Sequence, residues 1–224
     1  MKLDLRWFAA FSFLLLAVHE AHELAHAVTA RVVCGAWPLR DFNAWRFAGE
    51  CNSILPTTMG PLFSYALMLA GALIAGRRAR FGAGGIALLF AANPFARIFT
   101  AVMGGGDEMV VARWLAGVTE RTPLLRVAVL AFVLLVCGSA IVFAWRAMRG
   151  VARRGIWFAL ALLWPMALTG VALFVIGNRL LHAGVMADRS ISGAPLLVVL
   201  VSAAAAVLAM ATVPWLSART RAAA

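Results

Sequence analysis

Apolar residues occur along the chain in long runs that short polar segments interrupt. Six of these runs are each close to the ~20 residues that a helix needs to cross the hydrocarbon of a bilayer. Charged residues concentrate between the runs. The pattern predicts an all-α, multi-pass transmembrane helical bundle of about six spans. The spans are expected at about 7–33, 60–76, 81–103, 123–145, 156–178 and 193–215.

Three prolines bear on the shape of the predicted spans. The second run opens on Gly60-Pro61, and a proline in the first turn suits the start of a helix. The third run contains Asn93-Pro94, and the fifth contains Pro165. Because proline lacks an amide hydrogen, it leaves a carbonyl without its helical partner and usually bends a membrane helix. We therefore expect bends in the third and fifth spans.

The segment between the first two runs has a pattern of its own. Residues 37–47 alternate aromatic and polar side chains, which predicts a short hairpin or an interfacial segment anchored by Trp37 and Trp45. Cys34 and Cys51 flank this segment. Either they form a disulfide, which would stabilise the loop by roughly 3 kcal/mol, or they are two small apolar residues at the membrane border. The sequence leaves both interpretations open.

Composition supports a membrane protein. Of the 224 residues, 64% are apolar and 13% are charged, with a mean hydropathy of +0.93. A soluble domain averages nearer half apolar and a quarter charged, so the bilayer is the expected solvent. The same values exclude a disordered chain and a disulfide scaffold. The net charge of +11 sits in short clusters between apolar runs, which is typical of membrane loops, so no nucleic-acid partner is expected.

The basic clusters predict the orientation in the membrane. If the chain crosses six times, eleven Lys and Arg residues fall on one side with a single acid, Asp4, whereas the opposite loops carry mixed charge. The positive-inside rule then predicts a cell-membrane protein with both termini in the cytoplasm and the hairpin-like loop on the exterior. The first run has no clean cleavage site, so it is expected to remain as a span. The clustered basic residues are Lys2, Arg6, Arg77, Arg78, Arg80, Arg146, Arg149, Arg153, Arg154, Arg219 and Arg221.

The first span contains a metal-binding motif. His22-Glu23-Leu24-Ala25-His26 has the form HExxH. Positions four apart lie on one face of a helix, so His22 and His26 can reach one metal ion. Glu23 then lies beside the open position of the ion, where its carboxylate can take a proton from bound water. Zn²⁺ is the expected metal. Without a metal, these groups would form a buried polar network or a proton relay.

The third ligand has to come from another segment. The third span ends on the same side of the membrane with Met103-Gly-Gly-Gly-Asp-Glu108, and flexible glycines could let a carboxylate fold back to the ion. Asp107 is the first candidate, and Glu108 is the second. The alternative is that both are solvated loop acids.

The motifs of this chain, in their order along the sequence, resemble those of the site-2 protease family of intramembrane zinc metalloproteases. His22 to Gly35 is similar to the family's HExxH helix, Gly60-Pro61 with Ser64 to its Gly-Pro pair, and Asn93-Pro94 with Asp107 to its Asn-Pro and acid segment. In the family the acid usually precedes glycines, whereas here the glycines come first. The family's site usually faces the cytoplasm, whereas the charges here predict an exterior site.

The resemblance implies a zinc metalloendopeptidase that cleaves membrane-embedded protein or peptide substrates. His22, His26 and Asp107 would hold Zn²⁺, and Glu23 would act as general base. Asn93 would donate to the substrate backbone or the oxyanion, or else only satisfy the carbonyl that Pro94 frees. Residues 1–122 would form the metalloprotease-like membrane core, and 123–224 would add three spans of unknown role.

Neighbouring polar residues have simpler expected roles. His19 is expected to line the cavity, and Glu20 to pair with a basic group. Arg97 is expected to pair with Glu20 or Asp107, or to face a water-filled site. Gly60 and Ser64 form a step of small residues that predicts close helix packing. His182 is expected to be a solvated loop residue.

Two other functions fit the same residues. A transporter or metal permease would use the His and Glu cluster as a transit site, but internal repeats are not visible in the motifs. A catalytically silent scaffold would keep the metal site and bind a partner. The sequence does not indicate the substrate or the oligomeric state.

Overall fold

The computed structural model describes residues 3–47, 51–77 and 82–217. Within these residues, six helices are long and apolar enough to cross a membrane, and the predicted multi-pass helical bundle is confirmed. The spans are α1 (Leu5–Cys34), α2 (Leu55–Arg77), a broken third span of α3 (Gly82–Ala91) and α4 (Pro94–Val102), α6 (Pro123–Ala147), α7 (Arg154–His182) and α8 (Leu196–Leu216). A short helix, α5 (Asp107–Leu115), precedes α6. Lys2, Glu50, Arg78, Arg80, Arg219 and Arg221 lie outside the described residues.

A hairpin follows α1, as the alternating pattern predicts. Strand β1 (Leu39–Arg40) pairs antiparallel with β2 (Trp45–Arg46), and the Asp41 carboxylate accepts hydrogen bonds from the backbone N–H groups of Asn43 and Ala44 in the turn. Cys34 and Cys51 form a disulfide, which resolves the two interpretations of these residues. The disulfide connects the end of α1 to the segment that leads into α2.

Helix α2 begins earlier than predicted. It starts at Leu55, so Pro56 lies in its first turn and Pro61 lies inside the helix. The expected start at Gly60-Pro61 is therefore wrong. A first-turn proline costs little because its missing amide hydrogen would be unpaired there anyway, and Pro56 fills that position instead of Pro61.

The third span is broken at Asn93, between α3 and α4. Asn93 adopts the left-handed conformation with φ 55° and ψ 55°, and its Oδ1 accepts a hydrogen bond from the backbone N–H of Ala96. Asparagine tolerates this conformation better than most residues with a side chain. Pro94 then forms the first turn of α4, so the Asn-Pro pair ends one helix and starts the next.

The bundle packs around α1. Large side chains of α1 and α3 form the principal apolar cluster, and α8 lies along α1. In α7, Pro165 is followed by a π-helical segment, Thr169–Gly177, and the Thr169 hydroxyl donates to the Pro165 carbonyl at 2.8 Å. A hydroxyl that donates to the carbonyl four residues earlier is a common cause of a local bend in a helix. The buried core of α1 and α3 includes Trp7, Phe11, Leu15, Ile86 and Phe90.

Candidate metal centre

Three possible metal ligands converge at the HExxH turn of α1. The Nε2 atoms of His22 and His26 lie 3.1 Å apart. The Asp107 Oδ2 atom lies 3.5 Å from each of them. His26 is fully buried, and the other two side chains are largely buried. The structure thus brings the two predicted histidines and the first of the two candidate acids to one point.

Helix α2 orients both imidazole rings. His26 Nδ1 lies 2.6 Å from the Pro56 carbonyl oxygen, which can only accept, so Nδ1 carries the hydrogen. His22 Nδ1 lies 3.0 Å from the Ser64 hydroxyl and can donate to it. In the form that binds a metal ion, the His22 hydrogen is likewise on Nδ1, and both Nε2 lone pairs are then free to face Asp107 and the ion.

Gly60 lies between these two contacts on the same face of α2. A Cβ atom at this position would lie 2.1 Å from His26 Nε2 and 2.7 Å from His22 Cε1. The spacing of Gly60 and Ser64 predicts close helix packing, and the groups packed against them are the two histidine rings. Any larger residue at position 60 would displace the atoms that face Asp107.

Two glycines bring Asp107 to the histidines. Gly104 has φ +70° and Gly106 has φ +86°, a region that side chains rarely adopt, and this turn reverses the chain between α4 and α5. Asp107 is the first residue of α5. Burial acts to raise the pKa of the Asp107 carboxyl, but in the metal-free protein, when the imidazoles of His22 and His26 carry hydrogens on Nε2, hydrogen bonds from them outweigh burial and hold the pKa below its usual range. The carboxyl is therefore ionised.

Glu108 has a different set of partners from Asp107. It forms an ion pair with Arg97 and accepts a hydrogen bond from the Tyr65 hydroxyl at 2.6 Å. The Arg97 guanidinium lies over the Tyr65 ring, 5.2 Å from its centroid. Arg97 therefore pairs with neither Glu20 nor Asp107, because the turn before α5 places Glu108 beside it. It does face the space around the candidate ligands, which was the remaining expectation for this residue. The Glu108 carboxylate therefore binds Arg97 and Tyr65 and not the two imidazoles.

Arg97 extends this network to the histidines. Its NH2 group lies 3.1 Å from the Ser64 hydroxyl and 3.0 Å from His22 Nδ1. Because a guanidinium can only donate, Arg97 donates to the Ser64 oxygen, and it donates to His22 Nδ1 only in the tautomer whose hydrogen is on Nε2. When His22 binds a metal ion through Nε2, its hydrogen is on Nδ1 and the Ser64 oxygen accepts from both groups. A permanent positive charge, balanced by Glu108, thus lies behind one of the candidate ligands.

The three ligands line a cavity of about 870 Å³. Glu23 is buried and lines the same cavity. The walls come from α1, α4, α7 and the hairpin, whose Trp45 ring stacks on His26 with centroids 5.6 Å apart. Lining residues from α7 are Met166, Thr169, Gly170 and Phe174. The fifth span therefore contributes directly to the space around the centre.

Asn93 lines the cavity from the break in the third span. The carbonyl of Phe90, which Pro94 leaves without its usual helical partner, accepts a hydrogen bond from the backbone N–H of Asn93 at 2.9 Å. The side chain is therefore not needed for that carbonyl. Its Oδ1 caps α4, and the Nδ2 group is the part of the side chain that can donate to a bound molecule.

Other predicted residues lie around the centre. His19 lines the cavity, with Nε2 2.8 Å from the Phe42 carbonyl oxygen. Glu20 has the expected basic partner, Arg40 of the hairpin, and both side chains are buried. His182 is exposed at the end of α7.

Sequence reasoning missed the residues that orient the ligands. Pro56 and Trp45 contact His26, and Tyr65 contacts Glu108. Pro56, Gly60 and Ser64 are four positions apart, a spacing that places them on one face of α2. This spacing is present in the sequence, but the expected helix start at Gly60 left Pro56 outside the helix. The contact of Trp45 depends on how the hairpin folds back and has no local signal.

The fold and these side chains define a polytopic membrane protein with a His-His-Asp group that could hold a metal ion. Comparison of the chain with protein-family models, with curated proteins and with solved structures found no match. Inference about function therefore depends on the chemistry of the site.

Proposed function

We propose that the protein is an intramembrane zinc metalloprotease that hydrolyses peptide bonds of membrane-embedded substrates. The observation that carries this proposal is the triangle of His22 Nε2, His26 Nε2 and Asp107 Oδ2, with sides of 3.1, 3.5 and 3.5 Å. Ligand atoms about 2.0–2.1 Å from a tetrahedral zinc ion lie about 3.3 Å from one another. The triangle therefore has the size that three zinc ligands require.

The donor set also favours zinc. Two imidazoles and one carboxylate leave the fourth tetrahedral position open, which is the arrangement of hydrolytic rather than structural zinc sites. When bound there, zinc would lower the pKa of its water to about 7 and polarise a substrate carbonyl. Pro56 and Ser64 would keep the imidazole hydrogens on Nδ1 throughout the reaction.

The remaining residues provide the proton transfer and the binding of the transition state. Glu23, buried on the same helix turn, would take a proton from the attacking water and later give it to the leaving amine. The Nδ2 group of Asn93 would donate to the substrate backbone or to the oxyanion. Helical carbonyls are already hydrogen-bonded, so the cavity would accept substrates that unwind easily near the cleaved bond.

We further propose that the protein resides in the cell membrane with both termini in the cytoplasm and the metal centre toward the exterior. Arg146, Arg149, Arg153 and Arg154 cluster around the connection between α6 and α7, at the end opposite the hairpin. The disulfide between Cys34 and Cys51 is at the hairpin end, and disulfides persist in oxidising compartments.

The test combines metal content with cleavage. Wild type purified in detergent should contain about one zinc per chain, His22→Ala and Asp107→Ala should lose it, and Glu23→Gln should retain it. Wild type should also cleave a co-expressed reporter whose transmembrane segment carries glycine and proline near its exterior end. A Glu23→Gln protein that still cleaves this reporter would reject Glu23 as the general base.

A metal permease would give a different result in the same experiment. Zinc would enter liposomes that contain wild type, and no reporter would be cleaved. A protease should leave zinc outside the liposomes and cleave the reporter only when Glu23 is present.

A further inference from the structure

A second pocket, with basic lining, adjoins the cavity of the metal centre. Its volume is about 360 Å³, and it lies between the hairpin, the end of α7 and the segment before α8. Ala44 and Trp45 line both the pocket and the cavity, so the two spaces share a wall. A chain that leaves the cavity along the hairpin would reach this pocket next.

Three arginines from two segments line the pocket. Arg40 and Arg46 belong to the hairpin, and Arg189 belongs to the segment before α8. The acid of the pocket, Asp41, already accepts two hydrogen bonds from the hairpin turn. Among the described residues, Arg40 forms an ion pair with Glu20. Arg46 and Arg189 form no ion pair within the same residues.

Arg40 has unused donors. Its side chain is only 3% exposed, and one terminal nitrogen pairs with Glu20. In the part of the chain that the structure describes, the Nε and NH1 groups of Arg40 have no hydrogen-bond partner. Buried guanidinium donors are costly to leave unpaired, so a ligand with acceptor oxygens would stabilise this arrangement.

We propose that this pocket, which we call the anion subsite, binds a carboxylate of the polypeptide that occupies the metal-centre cavity. The inference rests on the proposed function and specifies its substrates. They carry Asp or Glu in the segment that leaves the membrane beside the cleaved bond. Arginine forks match carboxylate oxygens, and the position beside the shared Trp45 wall favours a group attached to the bound chain over a free ion.

Binding of matched peptides to the Glu23→Gln protein tests the anion subsite without any cleavage. The protein is held in nanodiscs of phosphatidylcholine. The probes are fluorescein-labelled peptides that share one apolar segment and carry either glutamates or glutamines beside it. One pair has these residues before the segment and one pair has them after it, so that both chain directions are tested. In one pair, the glutamate peptide should bind about tenfold more tightly.

Charge-neutral variants test which side chains cause the preference for the glutamate peptide. In the Glu23→Gln background, Arg46→Gln should reduce the difference between the two peptides to about twofold or less. The double variant Glu20→Gln/Arg40→Gln, which removes the buried pair without leaving a lone charge, should do the same. Arg179→Gln is the matched control, because Arg179 is exposed on α7 and does not line the pocket. Unchanged binding of the glutamine peptide shows that each variant is folded.

Several results would overturn the anion subsite. They are equal binding of both peptides in each pair, absence of binding by all of them, or a preference that survives Arg46→Gln or weakens equally in Arg179→Gln. A preference that disappears in nanodiscs of phosphatidylglycerol would assign the pocket to an anionic lipid headgroup instead. If wild type cleaves no peptide but the glutamate preference persists, the proposed function fails and the subsite stands. If wild type cleaves both peptides equally and the Glu23→Gln protein binds them equally, the proposed function stands and the anion subsite fails.

Discussion

At the scale of single residues, the candidate metal centre depends on α2 as much as on the HExxH turn of α1. The Pro56 carbonyl and the Ser64 hydroxyl hold the two Nδ1 atoms, and Gly60 leaves room for the rings between them. None of the three is itself a ligand. A search of the sequence for metal-ligating residue types therefore passes over the residues that orient the ligands.

Gly60→Ala should remove zinc binding and leave the bundle folded. The added methyl group would lie 2.1 Å from His26 Nε2, so the ring has to turn away from Asp107, and we expect zinc affinity to fall by about a hundredfold or more. Gly76→Ala, on the same helix, is the control, because its methyl group would meet only the Phe143 ring at 3.6 Å. Competition with a zinc chelator measures both variants, and equal affinities would contradict the role of Gly60.

Glu108→Gln should destabilise the protein. The glutamine can still accept from Tyr65, but Arg97 is left as a largely buried charge without its ionic partner, which costs about 3–5 kcal/mol. Thermal unfolding in detergent measures the change. Glu120→Gln, which alters an exposed acid, should leave the unfolding midpoint unchanged. Similar midpoints for both variants would show that the Arg97–Glu108 pair contributes little.

At the scale of elements, two short breaks in the helices bring the ligands of the candidate centre together. The Asn93-Pro94 break turns α4 away from α3, and the glycine turn at Gly104 and Gly106 starts α5 with Asp107 directed at α1. Asn-Pro and the glycines indicate such breaks in the sequence. Which of Asp107 and Glu108 faces the histidines depends on the rotation of α5, and that follows from the glycine dihedral angles and the Arg97–Glu108 pair.

Asn93→Asp separates the capping role of Asn93 from its proposed role as a hydrogen-bond donor. Aspartate keeps the oxygen that caps α4 and tolerates the left-handed conformation, so folding and zinc content should not change. It lacks the Nδ2 donor, and loss of one donor to an oxyanion lowers kcat by about 10²–10³. Steady-state cleavage measures the effect, with Asn93→Ala as the variant that also loses the cap. A normal kcat for Asn93→Asp would leave Asn93 with a capping role alone.

At the scale of the whole molecule, the cavity is assembled from parts that are distant in sequence. Helix α7 supplies one wall, and the hairpin docks on it through a hydrogen bond of 2.8 Å between the side chains of Asn178 and Asn43. The Phe42 ring packs against Gly177 of the same helix. The fifth span, one of the three whose role the sequence does not indicate, therefore helps to enclose the candidate centre.

Cysteine labelling tests the proposed orientation. Ile191, which is 98% exposed before α8, belongs to the hairpin end, and Arg149 belongs to the opposite end. In right-side-out vesicles, a membrane-impermeant maleimide should label Ile191→Cys and should label Arg149→Cys only after lysis. The native cysteines give little background, because Cys34 and Cys51 are bonded and Cys137 is buried. The opposite labelling pattern would place the metal centre toward the cytoplasm.

Local sequence patterns were enough to predict the six spans, the hairpin and the pair of histidines, because these depend on local hydropathy, strand alternation and helical periodicity. The packing of the helices was needed to show that Asp107 rather than Glu108 meets the histidines, that Arg97 pairs with Glu108, and that Cys34 is bonded to Cys51. The start of α2 at Leu55 also came from the structure. These features depend on contacts between residues far apart in the chain, whose geometry is set by the packing of whole helices and not by any local pattern.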